Sequence, residues 1–463
     1  MSQTVNGEVF REYDIRGRAD QDLTDDFTRA LGRAYGTVVR RAGGRRVALG
    51  RDVRLSGPRL VAAFEAGVRA AGVDVLRIGA VPTPLLYFAT HHLDVQGGAT
   101  ITGSHNPPDW NGFKLCLGTA SMYGGALQHL RALMQSEDFE SGEGGASDVD
   151  VYAPYEACVQ ADIRPEGRRI RVVIDAGSGT GGLVAPRLYR ALGFDVIDLY
   201  CEPDGTFPHH HPDPTVEANL ADLKRAVADH GAELGIAFDG DADRIGAVDH
   251  HGRVVWGDQL LLFFARAVLA ERPGATIVSE VKCSRVLYDG IAAAGGKAEM
   301  WKVGHSLIKA RMKETGAALA GEMSGHIFFA DRYFGYDDAV YAGARLLEML
   351  AAGDETLADL LDALPRTMTT PELRVACPDA AKFAVVARAA AAFAGRYPVN
   401  DLDGMRVDFA HGWGLLRASN TQPVLVMRFE ADTPGSLRAY RDEVEGWLRA
   451  NAPEVDLAAD VHH

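Results

Sequence analysis

Residues Ile170–Leu199 read IRVVIDAGSGTGGLVAPRLYRALGFDVIDL, and this stretch decides the fold class of the chain. Its first residues, Ile170–Ile174, form a short apolar run rich in β-branched side chains. An alanine- and leucine-rich helical pattern follows over Val184–Ala191, and a second short run of strand character covers Asp195–Leu199. Strands that alternate with helices in this way are typical of βαβ units, so the stretch predicts an α/β layer.

The same alternation recurs on both sides of this stretch. Further strand and helix patterns cover Val47–Leu49, Gly57–Ala71, Asp74–Ile78, Thr276–Ser279 and Ser284–Ala294. The C-terminal part differs, because three strand patterns precede a single helix: Met405–Phe409, Trp413–Arg417, Val424–Glu430 and Ser436–Arg449. These patterns predict three α/β domains and a smaller α+β domain at the C-terminus.

Breaks in composition indicate where these units meet. At 463 residues the chain is too long for one core, so several domains are expected. The breaks lie in the Gly-, Ser- and acid-rich segment Glu137–Asp150, which we interpret as a loop or linker, near Asp249–Arg253 and near Leu364–Pro371. We therefore predict domains at residues 1–149, 150–252, 253–367 and 368–463.

Charge and composition exclude several classes of protein. The chain has 48 basic and 63 acidic residues, a net charge of −15, which argues against nucleic-acid or anionic-membrane partners. No signal peptide is readable, and the best apolar candidate, Leu260–Ala270, is too short to span a bilayer and contains Arg266. The five cysteines form no CxxC pair, so neither a disulfide framework nor a structural zinc site is expected. We predict a cytoplasmic protein with no nucleic-acid and no membrane partner.

A glycine-rich turn inside the opening stretch matches a dinucleotide-binding fingerprint. Gly177-Ser-Gly-Thr-Gly-Gly182 follows a strand and precedes a helix, and Asp198 lies 21 residues beyond Gly177. In an NAD-binding protein such glycines admit a pyrophosphate to the helix N-terminus. A tight turn between a strand and a helix needs the same small residues for packing, so an NAD-dependent dehydrogenase is a remote alternative.

Two loops carry groups suited to phosphoryl transfer. In Thr102-Gly-Ser-His-Asn-Pro-Pro108 the serine hydroxyl can project into a cleft, and the nearby Lys114 favours its alkoxide or a bound phosphate. In Asp239-Gly-Asp-Ala-Asp-Arg244, three carboxylates at alternate positions repel one another unless a cation lies among them. Hard oxygen ligands of this kind suit Mg²⁺. Taken singly, the first loop also fits a serine that caps its own turn, and the second a solvated acidic turn.

Two further loops offer groups that bind sugars and phosphates. Gly321-Glu-Met-Ser-Gly-His326 supplies donors and acceptors, as a sugar needs, and Lys282 and His305 add cations if the fold brings them close. Arg417-Ala-Ser-Asn-Thr-Gln-Pro423 combines a guanidinium, two hydroxyls and an amide, a plausible phosphate clamp. The clamp segment alone is equally compatible with ordinary turns. The histidine run His209–His211 is interpreted as surface.

Taken together, five motifs resemble the signature set of the α-D-phosphohexomutase superfamily, most closely its bacterial phosphomannomutase/phosphoglucomutase branch. They are FREYDIRG at Phe10–Gly17, TGSHNPP, DGDADR, GEMSGH and RASNTQP, and their order and spacing match from Phe10 to Phe429. The phosphoglucosamine mutase branch, which usually has Ala at the position of Gly103 and Gln at that of Met323, is the nearest alternative. Ala242 stands where Gly is common, which leaves all three carboxylates in place.

The resemblance implies three α/β domains with mixed sheets and a smaller C-terminal domain around a central cleft. In chain order these domains would carry a phosphoserine, Mg²⁺, the sugar and a phosphate. The implied reaction is reversible phosphoryl transfer between C1 and C6 of mannose and glucose phosphates, with a hexose 1,6-bisphosphate as intermediate and activator. The implied partners are hexose phosphate substrates, and we expect a monomer. A sugar-phosphate-binding protein without turnover remains a third alternative, and it would tolerate loss of Ser104.

The resemblance also implies roles for individual residues. Ser104 would be the phosphoserine, and its phosphate would share Mg²⁺ with Asp239, Asp241 and Asp243. Arg244 would neutralise charge on the transferring group, and Lys114 and His105 are candidates for proton handling. The residues expected to bind substrate are Tyr13, Arg16, Lys282, His305, Glu322, Ser324, His326, Arg417, Ser419, Asn420 and Thr421.

Dual use of glucose and mannose would follow from the sugar contacts. Glu322 and Ser324 would bind the O3 and O4 hydroxyls, which roughly exchange places when the ring is turned over. Contacts centred on those hydroxyls would discriminate only weakly between the two configurations at C2, the position at which glucose and mannose differ.

Overall fold

The computed structural model describes residues 6–420 and 422–460, and its strands form four sheets that follow one another along the chain. No helix among the described residues is long and apolar enough to cross a membrane. The strand, helix and strand predicted for the opening stretch are present, and no bound differs from the prediction by more than one residue.

The first sheet lies within residues 15–148. Its strands are β1 (Ile15–Arg18), β2 (Arg46–Arg51), β3 (Asp74–Ala80), β4 (Gly97–Ile101), β5 (Trp110–Leu117), β6 (Ala120–Ser121) and β7 (Ala146–Asp148). Its helices are α1 (Asp25–Arg41), α2 (Gly57–Ala70), α3 (Thr83–His92) and α4 (Gly125–Ser136). The strand order is β1-β5-β4-β2-β3-β7, with β6 on β5. The sheet is mixed, because β2, β3, β4 and β7 are parallel and β5 is antiparallel to β1 and β4.

The second sheet follows helix α5 (Tyr152–Asp162). It contains β8 (Arg171–Asp175), β9 (Asp195–Leu199), β10 (Leu234–Phe238), β11 (Ile245–Asp249) and β12 (Val254–Val255), with helices α6 (Ala185–Ala191) and α7 (Ala221–His230). The strand order is β12-β11-β10-β8-β9. Strand β8 is parallel to β9 and β10, whereas β11 is antiparallel to its two neighbours, so this sheet is mixed as well.

The third sheet is also mixed. Its strands are β13 (Thr276–Glu280), β14 (Lys297–Trp301), β15 (Leu319–Gly321) and β16 (Ile327–Phe329), in the order β14-β13-β15-β16. Its helices are α8 (Gly257–Glu271), α9 (Arg285–Ala293), α10 (His305–Thr315), α11 (Ala339–Ala352) and α12 (Leu357–Asp362). Only the β15–β16 pair is antiparallel.

The C-terminal sheet is antiparallel throughout. Its strands are β17 (Met368–Thr369), β18 (Leu373–Ala376), β19 (Val399–Asn400), β20 (Met405–Phe409), β21 (Gly412–Ala418), β22 (Val424–Ala431) and β23 (Asp456–Asp460). Its helices are α13 (Asp379–Ala394) and α14 (Pro434–Asn451). Three mixed α/β layers and this last α+β unit confirm the fold class predicted from the sequence.

The interpretation of Glu137–Asp150 as a loop or linker is wrong in one part. Strand β7 lies inside this segment and pairs in parallel with β3, with Val75 opposite Ala146. Three residues without an apolar pattern can add a strand to a sheet edge, because the backbone supplies the hydrogen bonds. The segment therefore belongs to the first sheet up to Asp148.

The first three sheets share one topology. In each, a strand–helix–strand–helix–strand–strand unit places its third strand parallel to its first and its fourth antiparallel to its third. These units run from β2 to β5, from β8 to β11 and from β13 to β16. The turn between the last two strands of each unit thus lies at the carboxyl end of the parallel strands, the edge at which α/β sheets bind ligands. The three turns contain Ser104, the Asp239–Asp243 segment and the Glu322–His326 segment.

Asp338, a buried carboxyl that supports the third sheet, gives a pH-dependent prediction. It accepts hydrogen bonds from the Tyr341 amide, where it caps α11, and from the hydroxyls of Tyr155 and Tyr333. Burial raises its pKa from 3.8 to about 6, so the folded state binds its proton more tightly than the unfolded state. Its contribution to stability is therefore full below about pH 4 and is lost as pH rises through 6.

We expect Asp338→Asn to remove this pH dependence. Relative to the variant, the wild-type protein should lose roughly 2–3 kcal/mol of stability between pH 4 and pH 7. Urea unfolding of both proteins at several pH values measures the difference. A difference that stays constant across this range would contradict the prediction.

Candidate active site

Ser104 lies in the turn between β4 and β5, and its hydroxyl meets the second sheet. The side chain is 1% exposed, and its hydroxyl donates to Asp239 Oδ2 at 2.6 Å. His105 Nδ1 lies 3.1 Å from the hydroxyl oxygen of Ser104. The backbone of Ser104 has a φ of +48°, a left-handed conformation that a non-glycine residue adopts only when its surroundings hold it there.

A buried ion pair that the sequence analysis missed holds this turn in place. Asp52 and Arg54 are 1% and 0% exposed, and Arg54 Nε lies 3.1 Å from Asp52 Oδ2. The Arg54 guanidinium donates to the Ser104 carbonyl at 2.8 Å, and Asp52 accepts from the Gly103 amide at 3.0 Å. Further contacts of Arg54 reach the carbonyls of Asn106, Pro107 and Trp110. An Asp and an Arg two positions apart, directly after β2, were the available signal.

The carboxylates of Asp239, Asp241 and Asp243 form a buried triad in the turn between β10 and β11. All three are fully buried, and one oxygen of each lies within 4.8 Å of the others. Asp239 Oδ1 accepts from the amides of Asp243 and Arg244, both at 3.1 Å. Lys114 Nζ donates to Asp241 Oδ2 at 2.7 Å and also contacts Asp243 Oδ2. Asp241 and Asp243 are thus held through one oxygen each, whereas both oxygens of Asp239 accept hydrogen bonds.

The other oxygens of the triad make it fit a metal ion. Asp241 Oδ1 and Asp243 Oδ1 are buried and have no hydrogen-bond partner among the described residues, while Asp239 Oδ2 meets the Ser104 hydroxyl. Unpaired buried carboxylate oxygens are costly, and a hard cation removes that cost. The donor set is three carboxylates and the serine oxygen, all hard ligands. The residues present therefore fit one divalent metal ion.

The charges of the triad and Lys114 depend on each other. Burial and the neighbouring carboxylates of Asp241 and Asp243 raise the pKa of Asp239 well above its usual range. Burial also acts to raise the pKa of Asp241, but the Lys114 ammonium and its hydrogen bond hold it below the ordinary value. Burial alone would lower the pKa of Lys114, and the two carboxylates raise it instead. Lys114 therefore stays an ammonium.

Arg244 connects the triad to a buried cluster under the third sheet. Its Nε donates to His326 Nε2 at 3.0 Å. The other ring nitrogen of His326 lies 3.1 Å from Asp337 Oδ2 and 3.6 Å from Asp243 Oδ1. His305 stacks on His326 with ring centroids 5.3 Å apart. Asp337 was not singled out from the sequence, because it lies outside the five motifs, in the segment Gly335-Tyr-Asp-Asp338 before α11.

Tyr13 links three parts of the molecule. Its hydroxyl donates to the Val303 carbonyl and accepts from Asn420 Nδ2, both at 2.6 Å. Its ring packs on Gly304, where an added Cβ would lie 2.5 Å from a ring carbon. Gly304 has a φ of +131°, so both its backbone and its neighbour require glycine. Loops next to strands of the first, third and fourth sheets thus meet around the Tyr13 side chain.

The predicted sugar and phosphate residues lie near this junction. Glu322 Oε1 accepts from the Gly304 amide at 2.7 Å, and Ser324 is half-buried in the same turn. Arg417 is 5% exposed and pairs with Asp403 at 3.2 Å, and its Nε has no partner among the described residues. Ser419 Oγ accepts from the Gln422 amide.

The remaining residues predicted to bind substrate are Arg16, Lys282 and Thr421. Arg16 pairs with Asp14 at 2.7 Å and donates to the Gly103 carbonyl at 3.3 Å, so it borders the Ser104 turn. Lys282, which follows β13 of the third sheet, donates at 3.1 Å to Glu372, which precedes β18 of the fourth sheet. Thr421 lies outside the described residues. His210 is not a free surface residue, because its Nε2 lies 3.0 Å from the buried Asp175 carboxylate.

The glycine-rich turn is filled by the protein itself. A Cβ on Gly179 would lie 2.7 Å from the Gly240 carbonyl, and one on Gly182 would lie 2.0 Å from the Cys201 carbonyl. Asp198, the expected ribose ligand of the dehydrogenase alternative, pairs with Arg190 at 2.8 Å. Close packing against the Asp239–Asp243 turn accounts for Gly179, and close packing against Cys201 accounts for Gly182. A nucleotide site has no support here.

Comparisons with known proteins match this architecture along the whole chain. Four family models described as phosphoglucomutase/phosphomannomutase match the chain. Alpha/beta/alpha domains I, II and III match residues 7–141, 153–252 and 256–368, and the C-terminal domain matches residues 372–446. The phosphomannomutase/phosphoglucomutase of Pseudomonas aeruginosa is 45% identical over 448 residues, 96% of each chain. The phosphoglucomutase of Neisseria gonorrhoeae is 44% identical over 453 residues, 97% of this chain and 98% of its own.

A solved structure agrees with these relatives. The crystal structure of a phosphoglucomutase/phosphomannomutase family protein from Burkholderia thailandensis has a TM-score of 0.92 at 45% identity, covering 97% of this chain and 98% of that one. The chain therefore belongs to the phosphoglucomutase/phosphomannomutase family. The predicted superfamily and the prediction of an isomerase enzyme are confirmed, and the phosphoglucosamine mutase alternative is not favoured.

Proposed function

We propose that this enzyme moves a phosphoryl group between C1 and C6 of both glucose and mannose phosphates, through phosphoserine 104 and a hexose 1,6-bisphosphate that also serves as activator. The observation that carries the proposal is the 2.6 Å contact between the Ser104 hydroxyl and Asp239, beside two unpaired carboxylate oxygens. A nucleophile held against a buried carboxylate triad that fits a divalent cation is the arrangement that phosphoryl transfer requires. The assignment of all site residues below belongs to this proposal.

The proposed metal ion is Mg²⁺, held by Asp239, Asp241, Asp243 and an oxygen of the serine phosphate. When bound, it supplies positive charge against the phosphoryl oxygens. Lys114 pairs with both Asp241 and Asp243, and this pairing holds the pKa of Asp241 below its ordinary value. We therefore assign Lys114 to holding the carboxylates, since an ammonium paired with two carboxylates has no lone pair to accept a proton.

The chain's own residues carry the transfer. Phosphoserine 104 gives its phosphoryl group to O6 of a hexose 1-phosphate, so the bond to Oγ breaks and a bond to O6 forms. The sugar hydroxyl must lose a proton and the departing Ser104 Oγ must gain one, and His105, with Nδ1 3.1 Å from Oγ, is placed to carry this proton. Arg244, fixed by its bond to His326, supplies a second positive charge for the transferring group.

The second half of the reaction needs the sugar turned over. Glu322 and Ser324 hold O3 and O4, while Arg417, Ser419, Asn420 and Thr421 clamp the phosphate that is not reacting. Tyr13, Arg16, Lys282, His305 and His326 complete the substrate site. The bond between Asn420 and Tyr13 joins the clamp to the first domain, so turning the intermediate requires that this bond opens.

A ³¹P NMR time course tests the proposed function. The enzyme is given glucose 1-phosphate or mannose 1-phosphate with Mg²⁺ and catalytic glucose 1,6-bisphosphate. We expect the 6-phosphate signal to appear with both sugars. Conversion of one sugar alone would limit the specificity, and no conversion by folded enzyme would overturn the proposal, with glucosamine 1-phosphate as the next substrate to test.

The remaining expectations concern the state of the protein in the cell. We propose a cytoplasmic monomer that acts on hexose phosphates. The five cysteines, all of them described, are free thiols, which suits a reducing compartment. Light scattering coupled to size exclusion reports the mass in solution.

A further inference from the structure

Thr83, in the first domain, contacts a carboxylate of the second-domain triad 158 residues away in sequence. Its hydroxyl donates to Asp241 Oδ2 at 2.5 Å, and its backbone amide donates to the Asp241 carbonyl at 2.9 Å. Both residues are fully buried. Thr83 lies in none of the five motifs, and neither the family comparison nor the reaction scheme gives it a role.

The two oxygens of Asp241 have different surroundings. Oδ2 receives hydrogen bonds from Thr83 and Lys114, whereas Oδ1 is buried without a partner among the described residues. The side chain can turn about its χ2 torsion, which is soft in carboxylates. Two donors on Oδ2 fix that torsion and leave Oδ1 as the oxygen turned away from the first domain. Lys114 divides its contacts between Asp241 and Asp243, so Thr83 is the donor that bonds to Asp241 without also bonding to Asp243.

The backbone near Thr83 is rigid. Thr83 is the first residue of α3, it follows Pro82 and precedes Pro84, and the backbone amide at this helix start donates to Asp241. Proline at the start of a helix restricts φ and holds the first turn in place. The partial positive charge of the helix N-terminus also favours the nearby carboxylate.

We propose that Thr83 is a positioning residue for the metal site and that it orients Asp241 so that Oδ1 points at the cation. Because Thr83 belongs to the first domain and Asp241 to the second, metal affinity then depends on the docking of these two domains. This inference rests on the metal site of the proposed function, but it does not depend on which sugar reacts. Thr83 contacts Asp241 through its hydroxyl and its amide, and it would act through that residue. Partners of metal ligands typically change metal affinity 10- to 100-fold when removed.

The test is direct Mn²⁺ binding to the full chain without substrate, measured by the electron paramagnetic resonance signal of free Mn²⁺. Thr83→Val keeps the shape of the side chain and removes the donor, and we expect its dissociation constant to rise by about 10-fold or more. Thr83→Ser restores the donor and should return the affinity to within about threefold of wild type. Rescue by serine separates an effect of the hydroxyl from an effect of packing.

Thr90→Val is the matched control. Thr90 lies on the same helix, is buried and donates to the Tyr87 carbonyl at 2.8 Å, so its loss should leave Mn²⁺ affinity unchanged. Equal affinity in Thr83→Val and wild type would overturn the proposal, as would an equal loss in Thr83→Val and Thr90→Val. Absence of Mn²⁺ binding in all variants would also overturn it, whereas failure of sugar conversion in the NMR experiment would leave it standing.

Discussion

Replacing Ser104 by alanine should lower the turnover of glucose 1-phosphate by at least about 10³-fold, because the phosphoryl group then has no covalent carrier. The remaining site still binds the sugar phosphate, so the loss should fall on kcat and leave KM within a few-fold of wild type. A coupled assay with catalytic glucose 1,6-bisphosphate measures both constants. Intact-protein mass spectrometry should show one phosphate on wild type after incubation with the bisphosphate and none on the variant.

Ser178→Ala is the matched control for this substitution. Ser178 is also a buried serine in a loop with a left-handed backbone, at φ +58°, but it lies in the glycine-rich turn, where its backbone pairs with Tyr200 and Asp204. Its replacement should change turnover by no more than a few-fold. If Ser104→Ala retained more than a tenth of wild-type turnover, the phosphoserine mechanism would be excluded, and a direct transfer or a binding protein would have to be considered.

Replacing Arg54 by methionine should destabilise the protein by about 3–5 kcal/mol. The substitution leaves the Asp52 carboxylate buried without its counter-charge, and burial already raises the pKa of that group. It also leaves the carbonyls around Ser104 without their shared donor. Urea unfolding followed by tryptophan fluorescence measures the change. Activity should fall as well, because Arg54 holds the turn that presents Ser104, the proposed nucleophile.

Two variants make the Arg54 result specific. Arg29→Ala removes an exposed arginine that pairs with Asp26, one turn earlier in α1, and should change stability by less than about 0.5 kcal/mol. Asp52→Asn combined with Arg54→Met removes both charges and should recover part of the loss. A destabilisation below about 1 kcal/mol for Arg54→Met would mean that the ion pair does not support the turn.

The sequence predicted those parts of the site that are local. Ser104, the three aspartates and the loops at Glu322 and Arg417 stand in short runs of unusual composition, so their positions follow from the residues themselves. The alternation of strands and helices likewise predicted the α/β layers. What Ser104 and Asp239 do together could be inferred only from the family resemblance, since 135 residues separate them.

The parts that the sequence did not reveal depend on distant contacts. Asp52 and Arg54 are ordinary charged residues until the fold buries them together under the Ser104 turn. Thr83 stands in an unremarkable Pro-Thr-Pro segment, and only the docking of two domains brings it to Asp241. Strand β7 was missed because a strand at a sheet edge pairs through backbone hydrogen bonds and needs no pattern of apolar side chains. Apart from the close spacing of Asp52 and Arg54, these long-range contacts leave no local signature in the sequence.

The shared topology of the first three sheets bears on how such an enzyme arises. Three copies of one supersecondary unit, each ending in a hairpin turn at the same edge, are what repeated duplication of a single ancestral segment would leave behind. Under the proposed function the three turns would differ in chemistry, one with the nucleophile, one with the metal ligands and one with the sugar contacts. The chemistry of the active site is then distributed over three related turns. Each turn can change its residues while the sheet that bears it keeps its structure.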